Sequence, residues 1–202
     1  MFGFKTEIKA ENSLWKNIMY SWLSINREYI EDWYSNGTYE DCAYWYNERA
    51  SLSILAGAIW RRGGVCLEEY CSIKAKLDDK TIESKERHGR TDLYFYLGDE
   101  EYIVEAKYIM GKNITEEKIH TKLKEAIKDC NNSLYHEKSE NHGLKGMAIV
   151  FIVPFEENKK IDFDSIKDNV DVYCSLKKEL EGNIEFNGNI ANSCYVIGKE
   201  LS

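Results

Sequence analysis

Proline is almost missing from this chain: Pro154 stands alone among 202 residues. That excludes proline-rich spacers, and nothing in the sequence marks a linker between domains. Long apolar runs are missing as well. No stretch approaches the roughly 18 uninterrupted apolar residues of a membrane-spanning helix, and the opening MFGFKTEIKAEN lacks a signal peptide's apolar core. There is no Gly-rich phosphate loop, internal repeat or low-complexity tract. The six cysteines (Cys42, Cys66, Cys71, Cys130, Cys174, Cys194) are scattered without the spacing of a zinc site or a disulfide framework. They are expected as reduced thiols, mostly in the core, with Cys66 and Cys71 on opposite sides of a strand. His88, His120, His136 and His142 form no ligand pattern. With 43% hydrophobic residues, the chain can bury a core without staples. The expectation is one domain over 1–202, cytoplasmic and not membrane-bound.

The richest segment is RTDLYFYLGDEEYIVEAKYI, residues 90–109. Leu93, Phe95 and Leu97 alternate with Asp92, Tyr94 and Tyr96, and the run from Tyr102 to Tyr108 alternates likewise, which is the period of a strand. Gly98-Asp99 between them suits a two-residue hairpin turn with glycine first. Counting outward from that turn sets Leu97 opposite Glu100, Tyr96 opposite Glu101 and finally Asp92 opposite Glu105. Directly opposed residues share a face with Cβ atoms roughly 4.5–5.5 Å apart, and Lys107 returns to that face two residues later. Facing carboxylates repel unless a cation or a shared proton compensates. A hard divalent ion does so, since Mg²⁺ takes one or two carboxylates together with water and phosphate oxygens. In phosphodiester hydrolysis such an ion activates water and steadies the leaving oxygen, while Lys107 orients the water or neutralises developing charge. The alternative is an edge hairpin whose exposed charges contribute little.

Asp92, a spacer, then Glu105-Ala106-Lys107 at the end of a second apolar strand resembles the PD-(D/E)XK nuclease superfamily, the restriction-endonuclease-like fold. That family also tends to carry an acidic residue on a helix before the first core strand. Glu48 in YNERASLSILAGAIW fits, sharing a helical face with Ser51, Leu52, Leu55 and Ile59. A Glu at the helix border paired with Arg49 or Arg61 is the competing reading. Thr91 stands where the family often has proline before the aspartate. The resemblance implies Mg²⁺ as cofactor, with Mn²⁺ as substitute, held by Asp92, Glu105 and the carbonyl of Ala106. Glu48 becomes an outer or second-metal carboxylate, Lys107 the water-positioning residue, and the products carry 5′-phosphate and 3′-hydroxyl ends.

The order of elements agrees with the resemblance. A helix is expected over 40–61, a strand over 65–75, then the hairpin, a helix over 115–135, a strand over 145–155, a helix over about 162–180 and a last strand over 192–201. Read as αβββαβαβ, this is an α/β fold with a mixed sheet flanked by helices. Residues 1–40, with Trp15, Trp22, Tyr29, Trp33 and Tyr34, are expected as an added helical layer over the 41–202 core.

A net charge of −8 argues against a phosphate-binding protein in general. The basic residues are nevertheless concentrated beside the hairpin: residues 74–90 hold six basic side chains against four acidic, and 107–128 hold six lysines against three glutamates. Arg90, Lys118 and Lys122 are the expected substrate contacts. The Gln-x-x-x-Tyr of RecB-type and lambda-exonuclease-type relatives has its nearest counterpart in Asn131 to Tyr135, with Asn for Gln, which favours an endonuclease. A restriction-like enzyme, a junction cutter and a nuclease of a mobile element or anti-phage system stay open. The substrate expected is DNA, with RNA as the alternative because nothing here reads a 2′-hydroxyl. Cutting both strands favours a homodimer. The competing functional class is a catalytically silent nuclease fold retained as a binding or regulatory protein.

Overall fold

The computed structural model describes residues 3–35, 41–76, 85–137, 143–155, 161–179, 185–186 and 189–202. In chain order the elements are β1 (Phe4–Ala10), α1 (Ser13–Ser35), a 3₁₀ turn (Ala43–Trp45), α2 (Glu48–Arg61), β2 (Val65–Lys76), β3 (Lys85–Leu97), β4 (Glu100–Gly111), α3 (Glu116–Glu137), β5 (Lys145–Pro154), α4 (Phe163–Lys167), β6 (Val172–Lys178), a short ribbon of β7 (Glu185–Phe186) and β8 (Asn189–Ile190), and β9 (Ser193–Leu201). Seven strands form one mixed sheet in the order β1-β6-β9-β5-β4-β3-β2. Only β4 and β5 run parallel, joined by α3 as a crossover helix; the other neighbours are antiparallel. Among the described residues no helix is long and apolar enough to cross a membrane.

The central strand shows why the sheet is covered on both sides. In β5, Met147, Ile149, Phe151 and Val153 join the core that includes α1 and α2, while Ala148, Val150 and Ile152 face the opposite layer with α3. A strand buried on both faces reads as an unbroken apolar run, and KGMAIVFIVP does. The predicted hairpin register is met from the turn as far as Leu93: Leu97 pairs with Glu100, Tyr96 with Glu101, Phe95 with Tyr102 and Leu93 with Val104, but the expected pair of Asp92 with Glu105 is not formed, because the ladder ends before it. Gly98 takes φ +65°, the left-handed value that its place in the turn requires. Phe95 and Tyr102 stack at 5.1 Å, Trp15 of α1 meets both rings edge-on, and the Tyr102 hydroxyl donates to Glu200 at 2.6 Å. This cluster fixes the hairpin against α1 and β9.

Three expected elements are corrected. Residues 1–40 are not purely helical, because β1 adds an edge strand to the sheet before α1 begins. Residues 162–180 are not one helix but the five-residue α4 and then β6, so the order departs from αβββαβαβ. Ile166, Val170 and Tyr173 have helical spacing, but Val170, Val172, Cys174 and Leu176 also have the period of a strand. Pairing with β1 on one side and β9 on the other decides for the strand. The helix expected over 40–61 begins only at Glu48, after the 3₁₀ turn, with the Asn47 side chain accepting from Ala50 N–H at 2.9 Å as its N-cap. All six cysteines are free; Cys71 is exposed and the other five are buried, as expected.

Helix α3 lies close on β5 at Gly146. A Cβ there would lie 2.6 Å from both Cys130 Sγ and Leu134 Cδ1, so only glycine lets the helix seat. Gly146→Ala is expected to destabilise the protein by about 1–3 kcal/mol, the usual cost of overpacking. Urea unfolding measures this, and an unchanged midpoint would show that α3 yields without cost.

Candidate functional site

Around Asp92 the regular ladders on both sides of β3 are interrupted. The β3–β4 ladder runs from the turn only to Leu93–Val104. In a two-residue hairpin of this register the next hydrogen-bonded pair would join Thr91 and Ala106. Instead the Ala106 N–H donates to Asp92 Oδ2 at 2.8 Å. On the other side, β2 pairs through Glu68–Leu93 and Tyr70–Thr91, but Glu69 between them is not paired with Asp92 and takes φ +51°. Asp92 therefore supplies from its side chain a bond that the backbone does not make. Its other oxygen accepts no hydrogen bond among the described residues.

Strand β4 carries the next two groups. On the face toward α3 its residues run Ile103, Glu105, Lys107, Ile109, so a charged pair interrupts an apolar row. Glu105 is only 3% exposed, and its Oε1 accepts from Ser133 Oγ at 2.7 Å. Lys107 Nζ lies 2.7 Å from Asp129 Oδ2. Asp129 and Ser133 are four apart on α3 and so lie on one side of that helix, which is why they meet two strand residues spaced by two. Burial works against the Lys107 ammonium, yet the Asp129 hydrogen bond and charge, with Asp92 and Glu48 adding to them, leave its pKa above the ordinary lysine value.

Glu48 enters from the first turn of α2. A helix N-terminus ordinarily favours a carboxylate. Here burial, and after it the charge of Asp92, push the Glu48 pKa up, with Lys107 and Lys122 opposing and Asp129 adding to the rise. Neither suggested arginine partner is available to it: Arg61 pairs with Glu28 and Arg49 with Glu69. Half-buried Glu48 accepts no hydrogen bond among the described residues.

The structure thus brings Glu48, Asp92 and Lys107 into one electrostatic neighbourhood, with Glu105 two residues from Lys107 on β4. Ala106 is buried between Glu105 and Lys107. Among the described residues no three His, Cys, Asp or Glu side chains already form a metal-binding group. Of the expected substrate contacts, Lys122 is close enough for its charge to be felt at Glu48 while it pairs with Glu125 at 2.7 Å. Lys118 is exposed and donates to the Asn113 carbonyl at 2.7 Å, and Arg90 pairs with Glu69 at 2.6 Å. Asn131 and Tyr135 are both exposed on α3. The side chains of Lys74, Lys76, Lys85, Arg87, His88, His136, Trp33 and Tyr34, and the whole of Lys80 and His142, lie outside the described residues.

Sequence reasoning missed Asp129, Ser133 and Glu69. The first two border the buried stripe of Ala126, Cys130 and Leu134, and polar residues four apart there were a readable signal that something polar lies opposite. For Glu69 no such signal exists, since its alternation is that of an ordinary strand residue.

Glu48 gives a pH dependence. The folded protein favours its protonated form, so between the ordinary carboxylate value and the raised one the native state holds more protons than the unfolded chain. Stability therefore falls as pH rises through that window. Glu48→Gln removes the penalty and is expected to melt above the wild type at neutral pH, with the gap closing below the ordinary carboxylate range. Thermal unfolding of both proteins across pH checks this, and equal melting temperatures at neutral pH would refute it. Comparison with family models, curated proteins and solved structures finds no match.

Proposed function

We propose that this protein is a divalent-metal-dependent endonuclease acting on DNA, with a sheet arranged like that of PD-(D/E)XK nucleases. The observation that carries the reading is that Asp92 sits where the β3–β4 ladder stops, its carboxylate on the Ala106 N–H, with its charge felt by both the Glu48 carboxylate and the Lys107 ammonium. An unpartnered half-buried carboxylate that feels a second one is an unfavourable arrangement by itself. It becomes favourable around a hard cation, for which carboxylate oxygens are the preferred donors. Antiparallel β2-β3-β4 followed by a parallel β4–α3–β5 crossover, with helices on both faces, supports the fold likeness.

The donors available to Mg²⁺ or Mn²⁺ are Asp92, Glu105, Glu48 and the Ala106 carbonyl. A strand residue directs its N–H and C=O to the same edge, and the Ala106 N–H points to Asp92, so the carbonyl opens toward the same gap. When bound, the ion supplies a water of lowered pKa and polarises the scissile phosphate. Lys107 then holds that water or neutralises charge on the phosphate oxygens, and Asp129 keeps its ammonium protonated and aimed. Ser133 holds the Glu105 carboxylate in a fixed rotamer. Arg90, Lys118 and Lys122 contact flanking phosphates.

One observation favours a second reading, a nuclease fold used only for binding: Glu105 and Lys107 are each satisfied by α3. Calorimetric titration with Mn²⁺ separates the two. The nuclease reading expects binding by the wild type that Asp92→Ala loses; equal heats from both proteins would remove the ligand set.

Purified protein with Mg²⁺ is expected to cut plasmid, linear or branched DNA. Glu105→Ala should lower the rate at least about 100-fold, the scale of losing one group that stabilises the transition state. Lys107→Ala should lower kcat while leaving Mn²⁺ binding in place. Metal-dependent cleavage no greater than that of Glu105→Ala on all three substrates would defeat the proposal.

A further inference from the structure

Glu69 is the only non-glycine residue with positive φ among the described residues, at +51°, and it sits inside a strand whose register continues on both sides of it. Its carboxylate lies between two guanidinium groups. Arg49 Nη2 donates to Oε1, and Arg90 Nη1 donates to Oε2 at 2.6 Å. The three residues adjoin the candidate site: Arg49 follows Glu48 on α2, Arg90 precedes Asp92 by two on β3, and Glu69 lies between Glu68 and Tyr70, whose partners Leu93 and Thr91 flank Asp92. Both arginine side chains are 68% exposed, against 39% for Glu69. The triad carries one net positive charge in a chain whose net charge is −8.

A carboxylate and a phosphodiester each spread a single negative charge over two equivalent oxygens. Two arginines placed one on each oxygen of the first match the second equally well. Resting on the nuclease reading above, we propose that Arg49 and Arg90 form a clamp for the backbone phosphate next to the scissile one, and that Glu69 fills this clamp until nucleic acid displaces it. Glu69 keeps the guanidiniums oriented and lowers their attraction for stray anions. Displacement is easy, because ion pairs this exposed contribute little to stability and Glu69 leaves a backbone conformation that L residues disfavour. The arrangement reconciles an acidic protein with a phosphate-bearing substrate: its cations are covered until the backbone arrives.

The test is fluorescence anisotropy of a short labelled DNA duplex with Ca²⁺ in place of Mg²⁺, across a range of salt concentrations. Replacing Arg49 and Arg90 together by Ala is expected to weaken binding at least about tenfold and to reduce the slope of log affinity against log salt by about 2. Their joint replacement by Lys should restore the slope but only part of the affinity. Glu69→Gln should tighten binding about threefold or more, and Glu69→Asn, which suits positive φ, should do the same with its melting temperature maintained. Both Glu69 variants binding no more tightly than wild type, or an unchanged salt slope in the double alanine variant, would overturn the clamp. If the wild type nonetheless cuts DNA and Asp92→Ala does not, the clamp alone falls. If the wild type binds no duplex, the clamp and the nuclease reading fall together.

Discussion

Everything proposed for this protein depends on one hydrogen bond, from the Ala106 N–H to the Asp92 carboxylate. It stands where the hairpin's next ladder pair would be, so the backbones of β3 and β4 need not stay paired beyond Leu93 and Val104. A ladder continued through this point would satisfy the peptide groups and leave Asp92 as a surface charge. The side chain satisfies the amide instead, and beyond this point β3 stays paired with β2 while β4 stays paired with β5, with the Asp92 carboxylate between them. A buried amide needs a partner, and here the partner also carries the charge that the proposed chemistry requires.

The charges in that gap are held by two helices on opposite faces of the sheet. From one side α2 delivers Glu48 at its N-terminus; from the other α3 presents Asp129 and Ser133. Asp129 and Ser133 satisfy groups that would otherwise be costly so close to an apolar layer. Glu48 has no such partner, and its pKa is raised by burial first and by the Asp92 charge after it, both of which a bound cation would offset. At the rim, Glu69 does for two arginines what Asp129 does for Lys107, at a more exposed position where the pairing is more easily exchanged.

The hairpin register was legible because it is a local matter: Gly98-Asp99 sets the turn, and period-two alternation carries the count outward. Glu48 was legible as an acid on the apolar face of a helix. Strand β6 was not, because Val170 to Leu176 fits helical and strand periods alike and only neighbours distant in sequence choose between them. Strand β1 is an edge strand that gains its structure from pairing with β6, so its own seven residues carry little signal. Asp129 and Ser133 gain meaning only once α3 is laid across β4.

What the sequence alone determined is therefore the set of charged groups proposed for the site and their order: a hairpin carrying Asp92 and the Glu105-Ala106-Lys107 run, and a helix bearing Glu48 before it. These follow from turn chemistry and periodicity, which act over a few residues. The tertiary structure decided how those groups are satisfied: that the ladder stops at Asp92, that α3 supplies the partners of Glu105 and Lys107, that Glu48 is left without one, and that Glu69 joins Arg49 to Arg90. Those outcomes depend on which segments pack together and on where burial leaves a charge without water, and neither is written in any local stretch of the chain.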